Sequence, residues 1–253
     1  MAEVLLEARA VAKHFGGVKA LRDVSLTIRQ DEIYGLIGPN GAGKTTFFNC
    51  MTGLYVPDGG SFTFAGAPLL ADAPHKAAER GIARTFQNIR LFANMTALEN
   101  VMVGRHVRTR AGVFGAMLLN AATRDEEAAI RQRAIELLHY VDIADRADDL
   151  AKNLSYGDQR RLEIARALAT EPSLLCLDEP AAGMNATETA ELRSLIDGIR
   201  RDGTTVLLIE HDVKLVMGLC DRVAVLDYGS LVIEDVPAVV QKNQSVIEAY
   251  LGA

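Results

Sequence analysis

The chain has 253 residues, 49% of them hydrophobic and 24% charged, with a net charge of −6. That composition belongs to an ordinary globular protein with an ample core, and the acidic balance argues against a broad basic surface for nucleic acid. Cys50, Cys176 and Cys220 lie far apart, which predicts small core residues and neither a disulfide frame nor a zinc site. Acids precede any apolar run at the start, so no secretory signal is expected, and no stretch reaches the ~18 to 20 apolar residues of a membrane span.

In chain order, the first 30 residues hold short apolar runs around "HFGG", predicting strands joined by tight turns. "EIYGLIG" (32–38) reads as a buried strand feeding a glycine-rich loop, and "KTTFFNCMTG" (44–53) as a helix closed by Gly53. "DAPHKAAERG" (72–81) predicts a short helix with Asp72 as its cap and Pro74 in its first turn. Residues 91–154 change character. Ile130, Ala134, Leu137, Leu138 and Val141 recur on one helical face, so a helical subdomain is expected there, inserted between core segments 1–90 and 155–253. The uncharged run 111–123 predicts a helix packed internally or against a neighbour.

"NLSYGDQRRLEIARALA" (153–169) predicts a helix capped by Ser155, with Asp158 three residues on. "LLCLD" (174–178), "TVLLIE" (205–210) and "VAVLD" (223–227) are continuous apolar runs between helical stretches, as in a parallel sheet covered on both faces. "VAVLDYGSLVIED" predicts a closing hairpin turning at Tyr228–Gly229–Ser230.

The chemistry starts in "GPNGAGKT" (38–45), which matches the phosphate-loop pattern with a strand before it and a helix after it. Backbone N–H groups along Gly38, Asn40, Gly41, Ala42, Gly43 and on to Thr46 are placed to cradle phosphate oxygens at a helix N-terminus. Lys44 reaches the β and γ phosphates. Thr45 supplies a hydroxyl to Mg2+, which prefers oxygen ligands. The apolar strand ending in Asp178 and Glu179 adds the second part. Asp178 is expected in the Mg2+ shell, and Glu179 is expected to orient and deprotonate an attacking water. His211, at another predicted strand tip, is expected to contact the γ-phosphate. Gln87, at the junction of core and insert, is expected to touch both metal and water. The guanine-reading Asn-Lys-x-Asp pattern of GTPases is missing from the sequence, which leaves ATP.

Together these stretches resemble the ATP-binding subunits of ABC transporters, over essentially the whole chain. "GPNGAGKTT" resembles Walker A, Gln87 the Q-loop, "LSYGDQ" the signature, "LLCLDEP" Walker B, "AGMN" (182–185) the D-loop and His211 the switch histidine. The resemblance implies a P-loop NTPase (RecA-like) α/β core, an N-terminal antiparallel β subdomain and the helical insert. It implies that Phe15 stacks on adenine, and that Ser155, Gly157 and Asp158 face ATP held by a second ATPase subunit. Tyr156 and Asp158 depart from the common signature pattern, and Asn185 from the usual acid. "RTFQNIRLFANMTALENVMV", "RRLEIARAL" and "VIEAYLG" are most similar to the LivG-type ATPases of branched-chain amino acid importers. Importers of urea or other amides, a lipopolysaccharide-export ATPase and soluble ABC proteins are the alternatives. The resemblance further implies integral membrane permease subunits as partners, a periplasmic substrate-binding protein acting indirectly, and a peripheral location on the cytoplasmic side of the inner membrane. Residues 88–123, including Arg90 and Phe92, are the expected docking surface.

Overall fold

The computed structural model describes residues 3–69, 73–105 and 121–251. The chain divides into two compact units, Met1–Arg84 with Ser173–Ala253, and Thr85–Pro172.

The first unit carries two sheets. β1 (Val4–Phe15) and β2 (Val18–Arg29) form an antiparallel hairpin, and β4 (Gly59–Phe64) with β5 (Ala67–Pro68) extends it in the order β2-β1-β4-β5. The second sheet has the order β10-β9-β3-β8-β7-β6. Here β3 is Ile33–Ile37, β6 Ile82–Arg84, β7 Leu174–Asp178, β8 Thr205–Ile209, β9 Arg222–Asp227 and β10 Ser230–Asp235. All neighbours are parallel except the edge pair β9 and β10. Every residue of β3, β7 and β8 is buried, which is why these strands read as unbroken apolar runs.

The β9–β10 hairpin turns on Tyr228 and Gly229, both at positive φ (43° and 80°), the geometry of a two-residue primed turn. Ser230, expected in that turn, already pairs with Asp227 as the first residue of β10. α1 (Lys44–Met51) buries Phe47, Phe48 and Met51, and Phe47 meets Phe62 of β4 edge to face at 5.5 Å. The helix therefore joins both sheets to one core. α2 (Pro74–Glu79) has Ala73 at its N-cap position, with no side-chain cap bond, and carries proline in its first turn as the sequence predicts. Asp72 lies outside the described residues.

Around the described part of the second unit, helices dominate. They are α3 (Ala97–Arg105), α4 (Ala121–Tyr140) and α5 (Tyr156–Leu168). Ile130, Ala134, Leu137, Leu138 and Val141 are all buried, as their spacing predicts. Thr96 and Glu99 close a reciprocal cap on α3, with backbone N–H to side chain at 2.8 and 3.1 Å. The unit starts at Thr85 and runs through α5, so both expected subdomain boundaries, 90/91 and 154/155, fall inside it. The 106–120 portion of the expected docking surface lies outside the described residues.

Candidate nucleotide site

Strand order builds the first half of the site. β3, β8 and β7 are adjacent and parallel, with Leu36 opposite Ile209 and Ile209 opposite Asp178. Their C-terminal ends therefore line one edge, where ligands of open α/β sheets bind. β3 releases the loop 38–43, β7 ends in Asp178, and β8 leads into Glu210 and His211.

The loop holds its shape because two positions accept only glycine. Gly38 has φ +150°, and a Cβ there would sit 2.1 Å from the Leu226 carbonyl oxygen. Gly43 has φ +104°, and a Cβ would lie 2.6 Å from the Ala20 carbonyl oxygen. The β9–β10 turn braces the loop, with Gly229 N–H donating to Ala42 at 2.9 Å. Lys44 is buried and spans the loop, its ammonium donating to the carbonyls of Gly38 (2.6 Å) and Pro39 (3.1 Å). Burial pulls its pKa below the usual lysine value, while Glu179 and Asp178 act in the opposite direction. Asn40, Gly41 and Thr45 are exposed. α1 follows at once, so its free N–H groups and positive end face the loop.

Asp178 is almost fully buried, and Arg84 lies 3.9 Å from it while donating to Asn49 (3.0 Å) and Thr52 (2.7 Å). Glu179 sits at φ +47°, a strained conformation for a residue with a side chain, held by its N–H on the Ile209 carbonyl at 2.8 Å. That turn separates two adjacent acids, one buried and one partly open. His211 Nδ1 lies 3.6 Å from Glu179 Oε2, an ion pair when the imidazole is protonated. Beneath them, Glu210 is fully buried and accepts from the N–H groups of Ala181 (2.9 Å) and His211 (3.2 Å). Burial pushes its carboxyl above the ordinary range, against these bonds. Sequence reading passed over Glu210, because an acid between an apolar strand and a histidine carries no motif of its own.

Thr45 and Asp178 offer a hydroxyl and a carboxylate, hard oxygen donors that fit Mg2+ with room left for phosphate oxygens and water. Asn185 caps α6 (Ala186–Arg201) through a full capping box with Glu188. Phe15 is 43% exposed and packs edge to face on Tyr55 at 5.2 Å, with Lys13 Nζ 5.5 Å from its ring. It therefore presents free aromatic surface. A cleft of about 480 Å3 opens beside Asn40, Tyr228 and Glu248, but Lys44, Asp178 and Glu179 are not among its walls.

The second unit holds the other predicted residues. Gln87 follows the crossing from Arg84 to Thr85 by two residues. Ser155 caps α5, accepting from Asp158 N–H at 3.1 Å and donating its hydroxyl to Asp158 Oδ2 at 2.8 Å. The Asp158 carboxylate is thus engaged by the Ser155 hydroxyl.

A glycine loop, a buried lysine and two acids at the ends of parallel strands define a P-loop nucleoside triphosphatase. The sequence profile of the family described as ABC transporter matches residues 21–182. The branched-chain amino acid transport ATP-binding protein LivG of Salmonella typhimurium is 46% identical over 253 residues, covering 100% of this chain and 99% of that protein. BraF of Pseudomonas aeruginosa, described as a branched-chain amino acid transport ATP-binding protein, is 42% identical over the same coverage. Among solved structures, a nucleotide-free ATP-binding cassette from an ABC transporter superposes with TM-score 0.86 at 28% identity, covering 99% of this chain and 100% of that one. A dimeric post-hydrolysis cassette, MJ0796 bound to ADP and phosphate, gives TM-score 0.78 at 26% identity over 92% and 99%. The chain belongs to the ABC transporter family and is an ATPase of its ATP-binding cassette type. No helix among the described residues is long and apolar enough to cross a membrane.

Proposed function

We propose that this ATPase powers import of branched-chain or closely related amino acids through a membrane transporter. The observation that carries the reading is full-length likeness to LivG at 46% identity, combined with an intact loop, acid pair and histidine. Lys44 and the loop amides hold the phosphates, and Phe15 stacks on adenine. Thr45, Asp178 and Gln87 hold Mg2+, which when bound neutralises phosphate charge. Glu179 takes the proton of the attacking water, and His211 orients the γ-phosphate while paired with Glu179. Ser155, Gly157 and Asp158 complete a site on a second ATPase subunit, a second copy or a related chain. The dimeric cassette at TM-score 0.78 supports that arrangement. The second unit, through residues 88–123, docks on permease subunits at the cytoplasmic face of the inner membrane. A periplasmic binding protein supplies substrate on the other side.

Two measurements test this. Glu179→Gln removes the base, so Mg·ATP is expected to convert monomer to dimer in light scattering; a mass that stays monomeric defeats the composite site. Uptake of labelled leucine, in a host lacking its own importer but given the matching permease, should need this chain with Lys44 intact. No uptake with the unaltered chain overturns the transport role, and restoration by Lys44→Ala to the same rate overturns the role given to Lys44.

A further inference from the structure

A charge pair lies buried in α5. Arg160 and Glu163, one turn apart, are 0% and 1% exposed, with Nη1 and Oε2 2.8 Å apart. A buried ion pair is often no more stabilising than apolar residues of the same volume. The bonds it makes to other groups are therefore what distinguishes it, and they converge on one segment. Arg160 Nη1 donates to the Phe86 carbonyl at 2.8 Å, and Nη2 to the Gln87 carbonyl at 3.0 Å. Glu163 Oε1 accepts from the N–H groups of Phe86 (3.2 Å) and Arg90 (3.3 Å). Four backbone groups in residues 86–90 are thus tied to one helix. Arg160 Nη2 also donates to the Tyr156 hydroxyl at 3.3 Å. Tyr156, which departs from the common signature pattern, therefore steadies the guanidinium fork.

We propose that Arg160 and Glu163 are positioning residues that clamp the Gln87 segment to the signature helix, so that Gln87 and the Ser155 cap move as one body. This rests on the role given to Gln87 above. A planar guanidinium spans two consecutive carbonyls, whereas an ammonium is a single point charge with no fork. Arg160→Lys therefore keeps the charge and loosens the grip. Any shift of Gln87 is then no longer delivered whole to Ser155.

The test uses the purified full chain. Amide hydrogen exchange at Phe86 and Arg90 reads the clamp directly, because both N–H groups donate to Glu163. Arg160→Lys is expected to speed exchange at both by about tenfold and to lower kcat by about tenfold, with KM for ATP within about twofold. On a Gln87→Ala background, Arg160→Lys should cost nothing further in kcat, since it acts through that residue. Should Arg160→Lys fail to fold, Tyr156→Phe, which loses only a hydroxyl on a part-exposed ring, should still speed exchange at Phe86 by about threefold. Unchanged exchange in a folded variant, or losses that multiply in the double variant, overturns the proposal. If Gln87→Ala alone leaves kcat intact, the hydrolytic role of Gln87 falls. Exchange then decides the clamp, faster exchange supporting it and unchanged exchange overturning it.

Discussion

Glu210→Gln is the most exacting probe of the hydrolytic geometry. The substitution keeps shape and removes charge. One carboxylate oxygen becomes an NH2 facing a backbone N–H, so either the Ala181 or the His211 amide loses its acceptor. A hydrogen bond to a charged group contributes about 1.5–3 kcal/mol, and relief of the buried charge offsets part of that loss. The expected net destabilisation is about 1–2 kcal/mol at neutral pH, measured by urea unfolding. His211 is held through its own N–H, so its imidazole loosens against Glu179, and kcat should fall about tenfold. Lys44 and Thr45 lie on α1, after the neighbouring strand's loop, so KM for ATP should move less than about threefold. The pH dependence gives a second reading. Burial raises the folded carboxyl above its ordinary value of 4.5, so the folded state holds the proton more tightly. Its contribution to stability is therefore greatest below 4.5 and declines as pH rises to the folded value. That decline should be missing in the variant. Wild-type kcat in a folded Glu210→Gln protein, or a raised KM with kcat intact, would refute the reasoning.

Other outcomes follow from the same geometry. Gly38→Ala places a Cβ 2.1 Å from the Leu226 carbonyl, so nucleotide binding in a fluorescence titration should be lost and stability should drop by more than about 2 kcal/mol; retained affinity contradicts the loop geometry. Asn185→Ala removes a capping box from α6, which should cost about 1 kcal/mol in thermal or urea unfolding, and no shift would deny the cap its role. Lys44 has a lowered pKa when free, and phosphate should raise it again. Calorimetry of ATP binding in buffers of different ionisation enthalpy should therefore show proton uptake as pH rises toward the usual lysine value, and none at any pH contradicts the assignment.

Much of the site was legible because phosphate chemistry is written locally. The loop glycines, Lys44 and Thr45 are consecutive, Asp178 and Glu179 are adjacent, and each cluster follows an apolar run that can only be a strand. The periodicity of Ile130 to Val141 was equally local. Arg160 is the opposite case. It is one of two consecutive arginines near the start of a helix, yet it is the largest fully buried side chain among the described residues. Its partners at Phe86 and Gln87 lie more than seventy residues away.

The sequence alone determined the reaction class, the order of the strands' functional ends and the family, because those depend on short-range residue order and composition. Only the tertiary structure decided that Glu210 underlies His211, that Asp158 is bonded to Ser155 and that the second unit takes in α5. It alone also decided that one buried arginine holds the Gln87 backbone. Charged side chains find partners wherever the fold brings a carbonyl or carboxylate near, and the cost of burying them unpaired makes those long-range matches binding.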